Sequence, residues 1–183
     1  MHYGRILTDP EGGHYELNLA ASEVVRAVRL ENADLDAAQL RRVCVQACEP
    51  VNGIELLVSN AGKILLTVED YRDEPLDIAF VERLYAALTE GISIKEVREI
   101  ESREANAVDE LRAKALESFC AHVWVPDGNH TLVDALIALY YFKTFRLFPA
   151  GNNVLAFLLY FLILHRAGYH FSAHVPVVKL LYP

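Results

Sequence analysis

No apolar run in this sequence is long enough to cross a bilayer. The longest, at 154–164, falls well short of the roughly 20 residues that a membrane-spanning helix needs, and it reads instead as a buried central helix. The opening residues Met1-His2-Tyr3-Gly4-Arg5 lack the apolar core of a secretory signal. Cysteine is scarce. Cys44, Cys48 and Cys120 make an odd set that points to free thiols in a reducing cytosol rather than to a disulfide framework. An excess of positive charge is also missing. The net charge of -8 argues against nucleic-acid binding, which needs a basic surface. Arg26, Arg29, Arg41 and Arg42 are interleaved with acids and read as solvated helix faces. There is no P-loop, dinucleotide fingerprint or nucleophile elbow, and no internal repeat or low-complexity segment. These absences leave a cytoplasmic protein with no membrane or nucleic-acid partner and no expected cofactor.

What is present is a globular composition, 53% hydrophobic and 23% charged over 183 residues, which is enough for a real core. Two short apolar-rich segments, 3–7 and 15–19, flank Thr8-Asp9-Pro10-Glu11-Gly12-Gly13 and predict a β-hairpin. Helices are expected over 20–30 and 34–47, and Pro50-Val51-Asn52-Gly53 breaks the second. The segments 54–59 and 63–68 around Asn60-Ala61-Gly62 predict a second hairpin. Beyond a charged link, Ile78, Val81, Leu84, Tyr85 and Leu88 recur at helical spacing over 76–89, and Gly91 ends that helix. Ser93-Ile94-Lys95-Glu96 is a capping-box pattern. A charged amphipathic helix is expected over 101–119, and a strand and turn from His122 to Asn129. Two apolar helices, 131–145 and 152–166, close the pattern.

The link between those last two helices is the most informative stretch. Arg146-Leu147-Phe148-Pro149-Ala150-Gly151-Asn152-Asn153-Val154 resembles, without a gap, the HPF-x-[DE]-GNGR-x-x-R loop of Fic-domain proteins. Phe148, Gly151 and Asn152 match. Arg146 falls where the family has its catalytic His, and Leu147 replaces Pro. Ala150 replaces the acid, Asn153 replaces Gly, and Val154 and Phe157 replace the two arginines. Upstream, Glu90-Gly91-Ile92 is similar to the end of the family's inhibitory helix, with Ala86 in place of its Ser or Thr. Arg103-Glu104-Ala105-Asn106-Ala107-Val108 is similar to a stretch on the next helix, and His122-Val123-Trp124-Val125 to the start of the substrate-docking flap. The resemblance covers roughly 76–170. It implies an α+β chain in which a mainly helical Fic-like domain at 75–183 follows a β-hairpin and two-helix module at 1–70.

It also implies what has been lost. In the family the loop His removes a proton from a protein hydroxyl, which attacks the α-phosphate of a nucleotide. The acid holds magnesium and the arginines neutralise phosphate charge. Arginine stays protonated and cannot act as the base. Alanine offers no metal ligand. Loss of a general base alone costs about a hundred- to ten-thousand-fold. AMP transfer (AMPylation) through this loop is therefore not expected, and no residue is assigned as catalytic. Two readings of the loop stay open. Arg146, Gly151, Asn152 and Asn153 could bind a nucleotide or another phosphorylated anion at the helix N-terminus. Equally, Gly151 could supply the turn, Asn152 the cap, and Arg146 a solvent contact. Glu90, the regulatory position of the family, would have lost its arginine partner at Phe157. It could pair with Arg146 or simply be a surface acid.

The remaining candidates carry similar alternatives. Cys44 and Cys48, one turn apart, are small buried hydrophobes or metal ligands. His165, His170 and His174 are isolated histidines or part of a zinc site, and no metal is assigned. Three functions follow as expectations. The first is a pseudoenzyme that binds a protein partner, a second copy in a homodimer, or an anionic ligand. The second is a transferase of altered chemistry that binds a phosphorylated or nucleotide donor at Arg146 and the Gly151-Asn152 helix start, with a titratable residue such as His122 or His130 within reach. The third is a toxin–antitoxin-like regulatory module.

Overall fold

An apolar run that does not span a membrane must be wrapped by its own chain, and a computed structural model shows that enclosure. The structure describes residues 15–30, 32–93, 96, 109–123, 130–169, 172 and 175–181. Among them lie eight α-helices: α1 (Tyr15–Arg29), α2 (Ala37–Cys44), α3 (Gly53–Leu66), α4 (Ile78–Leu88), α5 (Asp109–Val123), α6 (Thr131–Phe145), α7 (Asn152–Arg166) and α8 (Val177–Leu181). A 3-10 turn at Val68–Tyr71 follows α3. No strand occurs among the described residues, and none of their helices is long and apolar enough to cross a membrane.

Helix α7 is the centre. Every residue from Asn152 to His165 is buried, as a helix that is apolar on all sides requires. Its widest contact is with α6, to which it returns antiparallel after a short link, and α1, α3 and α4 pack on its other sides. Helix α6 presents Ala135, Ala138, Leu139 and Phe142 inward, the i, i+3, i+4, i+7 stripe of a core-facing helix. Helix α1 does the same with Leu17, Ala20, Ala21, Val24, Val25 and Val28. Residues from both the 1–70 and the 75–183 stretches enter one hydrophobic core.

The two expected hairpins are corrected. The segment 15–19 opens α1, and 54–59 with 63–66 form α3. Segment 3–7 lies outside the described residues. The misread signal in α3 was Gly62, taken as a turn residue. It is a helix-packing residue, because an added Cβ would lie 1.8 Å from the carbonyl oxygen of Cys44. The end of α2 can rest directly on α3 only if that position has no side chain. Gln46, held at a positive φ of 60°, secures the contact. Its amide donates to the Ser59 carbonyl at 2.9 Å and accepts from the Ser59 hydroxyl at 3.3 Å.

Other ends are capped as their sequences allow. Asp36, Asn52 and Asp77 each accept a bond from a backbone N–H in the first turn they precede. Ser93 and Glu96 form the expected reciprocal box. Gly91 adopts the left-handed φ of 76° after α4. The strand expected from His122 is corrected at its first residues, since His122 and Val123 finish α5. Residues 101–108 and 124–129 lie outside the described residues.

The short helix α8 is fastened to α1 by a buried carboxylate. Glu23 accepts a bond from the Val178 backbone N–H at 2.7 Å and pairs with Arg26 at 3.1 Å. Burial raises the pKa of Glu23 above the usual range, against the lowering effects of the Val178 bond and of Arg26. The folded protein thus binds this proton more tightly than the unfolded chain does. Glu23 favours folding most below the ordinary glutamate value of about 4.3, and that contribution is lost as pH rises through the raised folded value.

Two stability predictions follow. Gly62→Ala should lower the unfolding free energy by about 3 kcal/mol, read by urea denaturation; a variant as stable as the parent would mean that α2 does not rest on α3. Glu23→Gln, which keeps an acceptor for Val178, should flatten the fall in stability with rising pH above the ordinary glutamate value. An unchanged slope would refute the burial argument.

Candidate functional site

The link between α6 and α7 is built by local chemistry. Helix α6 ends at Arg146, whose left-handed conformation (φ 47°, ψ 58°) turns the chain while its N–H still bonds the Phe142 carbonyl at 3.2 Å. Gly151 takes the second left-handed position, φ 73°, where a side chain would be strained. A Cβ there would also come within 3.2 Å of Leu57 Cδ1 and 3.6 Å of Leu88 Cδ2. Between these two turns Leu147, Phe148 and Ala150 are buried. Phe148 stacks on Tyr85 of α4 with ring centroids 4.1 Å apart.

Asn152 closes the loop. Its Oδ1 accepts from the Phe148 N–H at 3.0 Å, and its Nδ2 donates to the Phe148 carbonyl at 2.7 Å. A buried amide thereby bonds both backbone groups of a buried residue. The structure brings Arg146, Gly151, Asn152 and Asn153 into one loop. It then covers all but Arg146, which is partly buried, under α3 and α4. Val154 and Phe157, at the positions of the family's arginines, are core residues. An anion could reach the first turn of α7 only by displacing packed apolar side chains.

The other candidates lie elsewhere. The Glu90 side chain is exposed and makes no ion pair among the described residues. Its carbonyl, with that of Leu88, instead accepts from the buried Asn60 amide at 2.9 and 3.2 Å. Asn60 thus caps the end of α4 from within α3, a role that its place in a supposed turn concealed. His130 is at the far end of α6 from Arg146, a distance of about 22 Å for 15 residues. There it caps its own helix through Nδ1, and Nε2 meets the Tyr169 hydroxyl at 3.3 Å. His165 is at that same end and bonds Glu69 at 2.8 Å. His170 and His174 lie outside the described residues.

Burial pushes the Cys44 thiol up to about 12. Burial, with Asp77 nearby, pushes Cys120 up to about 11. Both therefore stay protonated at neutral pH and pack as apolar groups. Among the described residues no three His, Cys, Asp or Glu side chains are grouped so as to hold a metal ion.

Set beside protein-family models, curated proteins and solved structures, the chain matches none.

Replacing Asn152 with Ala should destabilise the protein by about 1–3 kcal/mol, because it removes two buried bonds to the Phe148 backbone together. Asn152→Asp, which keeps the acceptor and loses the donor, should also destabilise. Equal stability of all three proteins in urea would mean that the loop is not held by this amide.

Proposed function

We propose that this chain is a Fic-like protein without AMP-transferase chemistry, which acts by binding a protein partner. The carrying observation is the filled loop. Where the motif of the family would place an acid and two arginines, this chain has Ala150, Val154 and Phe157, all buried. An active site needs a cavity with convergent polar groups, and apolar side chains occupy this one. The altered-transferase reading needs an acid or base beside Arg146, and the distance to His130 removes one of its two candidates.

Support for a protein partner comes from the outer face of α6. Leu132, Leu136 and Tyr140 recur at i, i+4 and i+8, with Val133 beside them and Phe145 at the helix end, and all are exposed, Tyr140 by 62% and Phe145 by 48%. An apolar stripe of this kind on an otherwise charged surface marks an interaction face. A second copy is one form of that partner.

Two experiments test the reading. Incubation with labelled ATP and magnesium should label neither the protein nor added protein acceptors, and Arg146→His should not restore labelling. AMP transfer by the wild-type chain would overturn the proposal. Leu136→Asp with Tyr140→Asp should abolish binding to a purified partner, or dissociate the homodimer in light scattering, while leaving the melting curve in place. Undiminished association in this variant would remove the α6 face from the reading.

A further inference from the structure

The basic residues Arg26, Arg29 and Arg41 are solvent-exposed, as their sequence setting suggests, and they share one surface. Where the last turn of α1 meets α2 and α8, they line one open cleft of about 240 Å³ together with Lys179, and the buried Val25 and Val178 form its apolar floor. Among the described residues no acidic side chain lines it. In a chain of net charge -8, four cations from three helices line this cleft against one buried carboxylate, that of Glu23 paired with Arg26 at 3.1 Å, which leaves a local excess of positive charge.

The cations are also oriented. Arg26 is tethered through Nε to Glu23 at 3.1 Å. Arg29 is tethered through Nε and Nη2 to the Ala33 carbonyl, at 3.2 and 2.6 Å. A guanidinium has five N–H donors in a rigid fork, so both retain donors after these contacts, and their remaining freedom is reduced before any ligand arrives. Arg41 and Lys179 are exposed and have no ion-pair partner among the described residues.

We propose that this cleft is a binding site for a small phosphomonoester. A phosphomonoester carries close to two negative charges at neutral pH with three acceptor oxygens, which matches several convergent donors better than a single carboxylate does. Arginine forks bind such oxygens in bidentate fashion. The volume lies just below the roughly 300–1,000 Å³ of sites for drug-sized ligands, so it suits a phosphate bearing one small organic group and not a nucleoside triphosphate. That organic group would rest on Val25 and Val178. Because α8 supplies Lys179 and Val178, the bound ligand would bridge the C-terminal helix to α1 and α2. The site is separate from the α6–α7 loop and from the outer face of α6.

The test is calorimetric titration of the full chain with phenyl phosphate, inorganic phosphate and phenol. Phenyl phosphate should bind one per chain and weaken with added salt. Inorganic phosphate should bind more weakly, having lost the apolar contact, and phenol should not bind. Arg41→Gln with Lys179→Gln should weaken phenyl phosphate at least about tenfold, or 1.4 kcal/mol, and Lys179→Gln alone by less. Both side chains are exposed and make no ion pair among the described residues, so the ligand-free melting curves should stay close to that of the parent. The proposal is overturned if phenyl phosphate does not bind or if it binds the double variant equally well. It is equally overturned if the chain binds only vesicles of phosphatidylcholine doped with phosphatidate, which would make the cleft a lipid-surface contact.

Discussion

Enclosure of α7 is the constraint on which the rest of the structure depends. Its sequence from Val154 to Leu164 offers no polar face, and each large apolar side chain gains about 1.5–3 kcal/mol when removed from water. One neighbouring helix cannot cover such a cylinder. Four do so here, α1, α3, α4 and α6, and the remaining packing follows from bringing them together. Helices α2 and α8 brace α1 and α3 from outside, and both attachments rely on specific chemistry: a missing side chain at Gly62 and a buried carboxylate at Glu23. The same enclosure seals the first turn of α7. Its N–H groups belong to the kind of helix terminus that attracts anions, but Asn152 and Asn153 are buried there, and Leu57 of α3 and Leu88 of α4 lie against Gly151.

The loop before α7 therefore divides into two sets of positions. Phe148, Gly151 and Asn152, which match the Fic-type motif, are the residues that shape the turn: a ring stacked on Tyr85, a left-handed glycine pressed on Leu57, and an amide that completes the backbone of Phe148. Of the positions where the motif would carry out chemistry, those of the acid and the two arginines are here apolar and packed, as Ala150, Val154 and Phe157, while that of the base holds the partly buried Arg146. A loop can keep its shape while its chemistry is absent, because backbone geometry and reactive groups reside on different side chains.

Much of the helical layout was legible in the sequence. The bounds of α6 and α7 read directly, because long apolar runs with a glycine between them leave little choice. The helix α4, its stop at Gly91 and the box at Ser93 were equally plain. Failure came where glycine has two meanings. Asn60-Ala61-Gly62 looks like a hairpin turn to a local reading, but Asn60 caps α4 and Gly62 admits the Cys44 carbonyl. Both reasons lie in distant segments. Residues 15–19 failed differently: alternation over five positions cannot separate a strand from the first turn of a helix, whose 3.6-residue period shows only when Leu17 is read together with Ala20, Ala21 and Val24. Within the candidate site, Arg146, Gly151 and Asn152 were legible as a loop, while its burial was not, because α3 and α4 close it. The cleft was hidden for the same reason, since Lys179 is far in sequence from the three arginines.

The acidity of the whole chain bears on that cleft in a way the local geometry does not. Fields from exposed charges decay over about 8 Å at physiological ionic strength, so a ligand in the proposed site would feel the four lining cations and the nearby Glu23 far more than carboxylates across the molecule. A polyanion is different. A nucleic acid or a highly charged lipid surface extends well beyond the cleft and would meet the net negative charge of the chain, which opposes its approach. In the proposed site, the net charge of -8 and the local excess of cations would work together as a filter, attractive at short range and repulsive at larger footprints. Size selection for a compact anion would then arise from charge distribution as well as from the 240 Å³ of available space. The apolar floor at Val25 and Val178 adds the remaining discrimination, because a bare phosphate gains nothing from it.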